Sequence, residues 1–261
     1  MSEKQEKFIL PSDPTPASKS LPDYKFVMII GEPKSGKTTL ATTFPDPIIL
    51  DFERGTSGVS AHVVNVDNIN TFKEAIKALR GESGRRFKTV VIDTIDAMVT
   101  LLEQETIKSS GNSAKILRDV GGYGLGYDIL RSQVRGVYTA LLSLPQQIVW
   151  LVHAKSKVIT EKGNKEGYVI STLDLPDKAV TAFILAKPDI SLYLKQTVEV
   201  DNETGEEKEK HILYTKATDF ITGVGSRAKF ASKEIVVYGD NFITYDMLVA
   251  DFEKAKETKE R

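Results

Sequence analysis

Residues 26–39 read Phe-Val-Met-Ile-Ile-Gly-Glu-Pro-Lys-Ser-Gly-Lys-Thr-Thr, an apolar run followed by a loop with two glycines. The apolar run predicts a buried strand, and the loop has the Gly-x-x-x-x-Gly-Lys-Thr spacing of a phosphate-binding turn that opens a helix. In this pattern the glycines let backbone N–H groups face the phosphates, the lysine reaches the β and γ oxygens, and the hydroxyl after it ligates Mg²⁺. The stretch therefore predicts a Walker A loop that binds ATP with Mg²⁺.

Nine consecutive residues make up this predicted nucleotide site: Gly31, Glu32, Pro33, Lys34, Ser35, Gly36, Lys37, Thr38 and Thr39. Lys37 is also predicted to act in catalysis, and Thr38 to ligate the metal. The alternative is an ordinary glycine-rich turn with an exposed lysine, which would not require a strand before it and a helix after it. Pro45 and Pro47 are expected to end that helix early, because proline lacks an N–H group and clashes with the preceding turn.

The composition excludes several classes of protein. The chain has 261 residues, 41% of them hydrophobic, enough for one large α/β domain. It has no cysteine and only three dispersed histidines, so neither a disulfide framework nor a thiolate metal site is predicted. A formal net charge of −1 gives no general attraction to nucleic acid. We expect a cytoplasmic protein without a membrane span, because no apolar run approaches the required ~20 residues.

The organisation along the chain predicts a single domain between two tails. Residues 1–22, with four prolines among charged and small polar residues, predict a flexible arm, and residues 251–261 predict a charged tail. Between them, residues 23–250 alternate strand and helix patterns, which predicts a mainly parallel sheet covered by helices. The strand predictions are 26–30, 48–51, 62–66, 88–93 and 147–152, and the helices include 70–80 and 126–144. After residue 155, two turn-rich segments, 157–171 and 191–215, predict hairpins that extend the sheet.

A second motif, which ends in an aspartate, lies in the predicted strand at residues 88–93. Lys-Thr-Val-Val-Ile-Asp ends in Asp93 at the carboxyl edge of the sheet, where the Walker A loop also lies. Asp93 is therefore the predicted Walker B acid that holds Mg²⁺ through water, whereas Asp96 fits an acid that simply starts the next turn. The residue after Asp93 is Thr94 rather than glutamate, so another strand must supply the group that activates water.

Glu53 is the candidate for that group. It follows the predicted strand at 48–51, which is expected to end beside the strand of the Walker A loop, so that Glu53 can face the γ-phosphate. From the spacing alone, a catalytic base and a solvated strand end fit Glu53 equally.

Three further stretches are informative besides the two Walker motifs: Phe52-Glu53-Arg54-Gly55, Tyr123-Gly124-Leu125-Gly126-Tyr127 and Val152-His153-Ala154-Lys155. With them, residues 24–235 resemble the phage-encoded RecA-like P-loop ATPases, a group that includes single-strand annealing recombination proteins. The resemblance implies that Glu53 activates the attacking water and that His153 senses the γ-phosphate. It also implies a homo-oligomer, ring or filament, in which a basic finger completes the neighbouring site, and Arg227 is the predicted finger. An exposed basic loop is the alternative for Arg227.

Single-stranded DNA is a possible ligand of two surfaces that combine basic and aromatic residues. The predicted contacts are Lys155, Lys157, Lys162 and Lys165 after His153, and Arg131 and Arg135 in the predicted helix at 126–144; a solvated helix face is the alternative for the two arginines.

Three functions stay open at this point. The first is a slow or DNA-stimulated ATPase that acts on single-stranded DNA in phage recombination or annealing. The second is a P-loop switch or loader in phage replication or packaging that regulates a protein partner. A nucleotide kinase is the third, and no arginine-rich lid supports it.

Overall fold

The computed structural model describes residues 20–111, 114–159, 168–173, 175–200 and 205–258. Within them, ten strands form a single sheet: β1 (Phe26–Gly31), β2 (Pro47–Asp51), β3 (His62–Asn65), β4 (Thr89–Asp93), β5 (Gln147–Ile159), β6 (Tyr168–Leu173), β7 (Ile190–Val200), β8 (Glu207–Tyr214), β9 (Gly225–Ser226) and β10 (Glu234–Tyr238). The helices are α1 (Lys37–Thr42), α2 (Ile69–Arg80), α3 (Ile95–Ser109), α4 (Leu125–Leu142), α5 (Lys178–Ala186) and α6 (Tyr245–Glu257). The order across the sheet is β10-β8-β7-β1-β5-β4-β2-β3, with β6 paired to β5 and β9 to β7.

The centre of the sheet is parallel and buried on both faces. The six strands from β7 to β3 in this order are parallel to one another, whereas β6, β8, β9 and β10 are antiparallel to their partners. Every residue of β1 and β4 is buried, as their continuous apolar sequences require when helices cover both faces. The predicted α/β class with a mainly parallel sheet is confirmed.

Helices cover the two faces unequally. Apolar residues of α2, α3, α4 and α5 pack on one face, and those of α1 and α6 pack on the other. Helix α1 is short: it ends at Thr42, just before the prolines that were expected to stop it. The short α1 leaves the start of α6 room to pack directly against Phe44, whose ring centroid lies 4.6 Å from that of Tyr245.

The carboxyl ends of the parallel strands bring the predicted site residues to one edge. Gly31 at the end of β1 is level with His153 of β5 and with Leu194 of β7. Asp93 at the end of β4 is level with Asp51 of β2. This register places the predicted site residues at a single edge of the sheet, as expected for a parallel α/β fold.

Both predicted hairpins are present. β5 pairs with β6 from Ala154–Leu173 to Ile159–Tyr168, and β7 pairs with β8 along its length. Residues 160–167 and 201–204, at the two tips, lie outside the described residues.

One expectation about strand order is wrong. β2 does not end beside β1, because β5 and β4 lie between them. Parallel strands can be inserted between sequence neighbours by helical crossovers, and a hydrophobic pattern does not specify where.

The predicted tail boundaries also shift. Residues 1–19 lie outside the described residues, but Leu21, assigned to the arm, is buried, and its carbonyl accepts a hydrogen bond from Gln147. At the other end, a boundary at residue 250 would cut α6, in which Phe252 is 3% exposed. Within the described part of the chain, no helix combines the length and apolar character needed to cross a bilayer.

Candidate nucleotide-binding site

The loop between β1 and α1 is shaped by its glycines. A Cβ atom built on Gly31 would lie 2.6 Å from the Leu194 carbonyl oxygen and 2.6 Å from Ser35 Oγ, so only glycine fits there. Gly36 has φ +90°, in the left-handed region that favours glycine, and Lys34 has φ 66°. The remaining loop residues divide by burial: Ser35 is buried, Thr38 and Thr39 are half-buried, and Glu32, Pro33 and Lys34 are exposed.

Lys37 carries a buried positive charge at this loop. Its side chain is only 5% exposed, and its ammonium donates to the Gly31 carbonyl at 3.1 Å and to the Glu32 carbonyl at 2.8 Å. Burial lowers the pKa of Lys37, while the nearby carboxylates of Asp93, Asp96 and Glu53 oppose that shift. A buried ammonium held by neutral carbonyls is suited to a polyphosphate, because the anion supplies the negative charge that these partners lack.

Thr38 and Asp93 form the predicted metal side of the site. The Thr38 hydroxyl donates to Asp93 Oδ2 at 2.8 Å. Burial raises the pKa of Asp93 to about 6, although the Thr38 hydrogen bond and the charge of Lys37 act in the opposite direction. A hydroxyl and a carboxylate are hard oxygen donors of the kind that Mg²⁺ prefers, so these two residues fit the predicted ion.

Glu53 lies at the same edge although β2 is three positions from β1. Thr94 Oγ1 donates to Glu53 Oε1 at 2.8 Å. The backbone of the Glu53 turn is fastened to the buried Asp51 carboxylate, which accepts from Glu53 N at 2.9 Å, from Thr56 N at 3.2 Å and from Thr56 Oγ1 at 2.7 Å. Glu53 is exposed, but the hydrogen bonds to its backbone and to its carboxylate restrict its orientation at this edge. Its role as the catalytic base stays a prediction.

His153 is paired with the acid that the sequence assigned to a turn. Asp96 Oδ1 accepts the His153 backbone N–H at 3.0 Å, and Oδ2 lies 2.7 Å from the ring Nδ1. The Asp96 hydrogen bond raises the pKa of His153 against the effect of partial burial. Burial would raise the pKa of Asp96, but its bonds from His153 lower it overall. Because Asp96 accepts a hydrogen bond from the Nδ1–H group, the opposite ring nitrogen, Nε2, is the one that can contact a ligand.

Glu53, Asp96 and His153 together form one polar cluster. One ligand atom from each lies within 4.8 Å of the other two, and Glu53 Oε1 is 3.5 Å from His153 Nδ1. The hydrogen bond from Nδ1 to Asp96 accounts for the proximity of His153 and Asp96, and the Thr94 hydroxyl holds the Glu53 carboxylate beside them. For Mg²⁺, the all-oxygen pair Thr38 and Asp93 is the better match.

Arg227 lies away from the site of its own chain. It follows β9, which pairs with the start of β7, and its guanidinium forms an ion pair with Asp189 at 2.5 Å. The other Asp189 oxygen accepts the N–H of Phe26, the first residue of β1. Arg227 is therefore at the edge opposite the phosphate loop, and its action on a neighbouring subunit stays a prediction.

The predicted DNA-binding residues are spread over different settings. Lys155 is exposed on β5 just beyond His153, and Lys157 lies further along the same strand, whereas Lys162 and Lys165 fall outside the described residues. On α4, Arg131 binds Asp177 through Nε at 3.2 Å and a terminal nitrogen at 3.0 Å. Arg135 lies over the Phe183 ring, 5.9 Å from its centroid.

These contacts show that Arg131 joins α4 to the start of α5, since the Asp177 side chain also accepts the Val180 N–H. Binding of DNA by any of the six residues stays a prediction.

Sequence reasoning missed three residues that build the edge. Asp96 was interpreted as a turn residue, and neither Asp51 nor Thr94 was given a role. An aspartate at a strand end followed by Gly55 and Thr56 is a recognisable signal for a carboxylate that closes a turn. No comparable local signal links Asp96 to His153, because they are 57 positions apart and meet only through β4 and β5.

A family of known proteins matches most of the chain. The family model AAA_24, described as an AAA domain, matches residues 24–223. The matched region includes the phosphate loop, Glu53, Asp93, Asp96 and His153, and it ends before β9. A search of curated proteins finds no significant match.

Proposed function

The chain belongs to the AAA_24 family of AAA domains, and from that premise we propose that it is a Mg²⁺-dependent ATPase that hydrolyses ATP at the carboxyl edge of its sheet. The family assignment makes the chain a P-loop ATPase domain. The observation that carries the specific mechanism is the convergence of Lys37, the Thr38–Asp93 pair and the fixed Glu53 carboxylate at that edge.

The loop and Lys37 bind the phosphates. Backbone N–H groups of the loop face the anion, and the Lys37 ammonium moves from the two carbonyls that hold it to the phosphate oxygens. Thr38 and Asp93 would hold Mg²⁺, which when bound neutralises charge on the phosphates.

Glu53 takes the proton from water. As the water oxygen forms its bond to the γ-phosphorus, its proton passes to the Glu53 carboxylate, and the bridging oxygen leaves with the bonding pair on ADP. Thr94 holds Glu53 Oε1 and thereby limits the orientations of the base. The products are ADP and phosphate.

His153 donates a hydrogen bond to the γ-phosphate. Its pKa is raised by Asp96, which increases the fraction of imidazolium that can donate from Nε2. Loss of that phosphate after hydrolysis removes the acceptor.

The further proposal is that this cycle controls binding of single-stranded DNA by a homo-oligomer. β5 runs without interruption from the sheet centre through His153 to Ile159, so it connects the phosphate edge to the hairpin with Lys155 and Lys157. A rigid strand with one end at the γ-phosphate can bias the arrangement of the other. Single-strand annealing or recombination in a phage, with Arg227 acting in trans, is the specific role that fits the resemblance.

One assay tests both the proposed ATPase and the proposed DNA-linked oligomer. It measures phosphate release from Mg·ATP by the full chain, with and without single-stranded DNA and with EDTA. Hydrolysis that EDTA abolishes supports the ATPase. Stimulation by DNA, together with a larger mass by light scattering, supports the DNA-linked oligomer. Hydrolysis without either DNA effect contradicts the second proposal alone. The absence of both hydrolysis and calorimetric heat with Mg·ATP contradicts the first.

A further inference from the structure

Phe242 is a half-exposed aromatic residue beside the phosphate loop. It lies in the turn after β10, and 46% of it is accessible to solvent. A Cβ atom built on Gly36 would be 3.9 Å from Phe242 Cδ1 and 3.9 Å from Leu194 Cδ2. Single exposed apolar residues are common on protein surfaces, so the position of Phe242 beside Gly36, rather than its exposure, makes it significant. The Phe242 ring has no role in the proposed hydrolysis of ATP.

The fold holds the Phe242 turn firmly against α1. The next residue, Ile243, is buried in the core that contains Leu40. Two residues further on, the Tyr245 N–H donates to Thr43 Oγ1 at 2.8 Å, directly after α1. The turn therefore has a fixed position relative to the phosphate loop, which leads into the same helix.

A buried ring supports Phe242 from below. The His211 ring of β8 lies 5.1 Å from the Phe242 ring, centroid to centroid, with an angle of 47° between the planes. His211 is buried, and its Nε2 has no hydrogen-bond partner among the described residues. Phe242 thus has one side packed on the protein and a large part of its surface open to solvent.

The two sides of β1 differ in chemistry. On one side, across β5, β4 and β2, lie Glu53, Asp93, Asp96 and His153, which we call the acidic flank. On the other side, across β7, β8 and β10, lie Leu194, His211 and Phe242, which we call the aromatic flank. β10 is antiparallel to β8, which is antiparallel to β7, so β10 ends at the same edge as β1.

This arrangement gives a bound triphosphate a direction. The Thr38–Asp93 pair and Glu53 lie towards the acidic flank, so the γ-phosphate is on that side of the loop. The chain of phosphates then leads the nucleoside towards the opposite side, where the turn after β10 presents its ring. A planar base reaching that side meets an open aromatic surface.

We infer that Phe242 is the stacking surface for the base of the bound nucleoside triphosphate. The inference rests on the proposed nucleotide binding and adds the second half of that site. Stacking on an aromatic ring tolerates every base, because each base has a π face. The contact therefore contributes to the affinity for ATP and GTP alike, and it contributes nothing to tripolyphosphate, which has no base.

Calorimetric titration of the full chain with Mg·ATP, Mg·GTP and Mg·tripolyphosphate tests the inference. Phe242→Ala is expected to weaken binding of both nucleotides by about 10- to 100-fold and to leave tripolyphosphate binding unchanged. Phe220→Ala is the matched control, because Phe220 is also exposed, at 60%, but belongs to the segment between β8 and β9. It is expected to bind all three ligands like the natural sequence.

Phe242→Trp supplies an optical version of the same test. The natural Trp150 is buried in the sheet, so the new indole reports on the loop surface. We expect near-normal nucleotide affinity and a fluorescence change with Mg·ATP that Mg·tripolyphosphate does not produce.

Each contrary outcome has a distinct meaning. Normal ATP affinity in Phe242→Ala overturns the stacking contact and leaves the ATPase proposal intact. An equal loss of ATP and tripolyphosphate binding also overturns it, because the ring then only supports the loop. If the natural sequence binds neither ATP nor tripolyphosphate, the proposed function fails and the stacking contact fails with it.

Discussion

The acidic and aromatic flanks of β1 differ in both strand pairing and chemistry: the acidic flank consists of parallel strands, whereas the aromatic flank continues from β7 into the antiparallel strands β8 and β10. On the acidic flank, strand ends place carboxylates and an imidazole, each fixed by a hydrogen bond, where a phosphate would be cleaved. On the aromatic flank, strand ends and the turn after β10 place apolar side chains and rings. The proposed reaction and the inferred base contact therefore assign the charged side chains to phosphate chemistry and the apolar ones to nucleoside binding. Four substitutions probe that division, and each removes a different part of it.

Lys37→Ala should have the largest effect because it removes the cation between the flanks. We expect loss of measurable binding of Mg·ATP by calorimetry, since truncating one partner of a buried charge pair costs about 2–5 kcal/mol. Lys77→Ala is the control: it removes the same charge from an exposed position on α2, outside the loop. Retained ATP binding by Lys37→Ala would contradict the site.

Glu53→Gln should break the acidic flank alone. If Glu53 is the base, turnover falls by about 10²-fold or more while ATP affinity is kept, because an amide cannot accept the proton from water. Glu74→Gln, on the exposed side of α2, is the matched control. Turnover of Glu53→Gln at the natural rate would remove Glu53 from the mechanism.

Asp96→Asn tests how His153 contributes to the acidic flank. Asp96 is the main cause of the raised His153 pKa, so the neutral amide should lower that pKa, as measured by NMR titration of the imidazole protons. Turnover is expected to fall about 10-fold, the equivalent of one hydrogen bond to a charged group.

The control for this change is Asp246→Asn, which alters an exposed acid in the first turn of α6. It should leave both the His153 pKa and turnover unchanged. An unchanged His153 pKa in Asp96→Asn would show that the pair does not set the charge of the ring.

Gly36→Ala should have the smallest effect and tests the boundary between the flanks. Space exists for the methyl group, 3.9 Å from Leu194 and Phe242, but φ +90° is unfavourable for alanine and should cost about 1 kcal/mol of folding stability. Thermal unfolding should show a decrease of about 2 °C. Gly58→Ala, at an open position without a positive φ, should unfold at the natural temperature. A clearly larger loss for Gly36→Ala would mean that the contacts at this boundary are tighter than the distances indicate.

Local patterns predicted much of this molecule. The Walker A loop, the buried strands β1 and β4, and the two hairpins follow from runs of neighbouring residues whose spacing specifies their conformation. Asp93 was identifiable for the same reason, since it ends an apolar strand. Glu53 was placed at the correct edge, but its strand was expected beside β1 rather than beyond β4. Its position depends on Asp51 and Thr94, neither of which had been given a role.

The amino-acid sequence by itself determined the Walker A loop, because its conformation depends on neighbouring residues. It also determined the parallel character of the sheet and the edge at which the functional groups lie, because alternating strand and helix patterns favour parallel strands whose carboxyl ends share one edge. The tertiary structure alone decided the pairing of Asp96 with His153, the insertion of β5 and β4 between β1 and β2, and the approach of Phe242 to Gly36. Phe242 and Gly36 are far apart in sequence, and they meet because β10 and α6 add to the sheet and to α1. Such contacts depend on how whole elements pack, and the periodicity of side chains along one element carries no information about which other element will cover it.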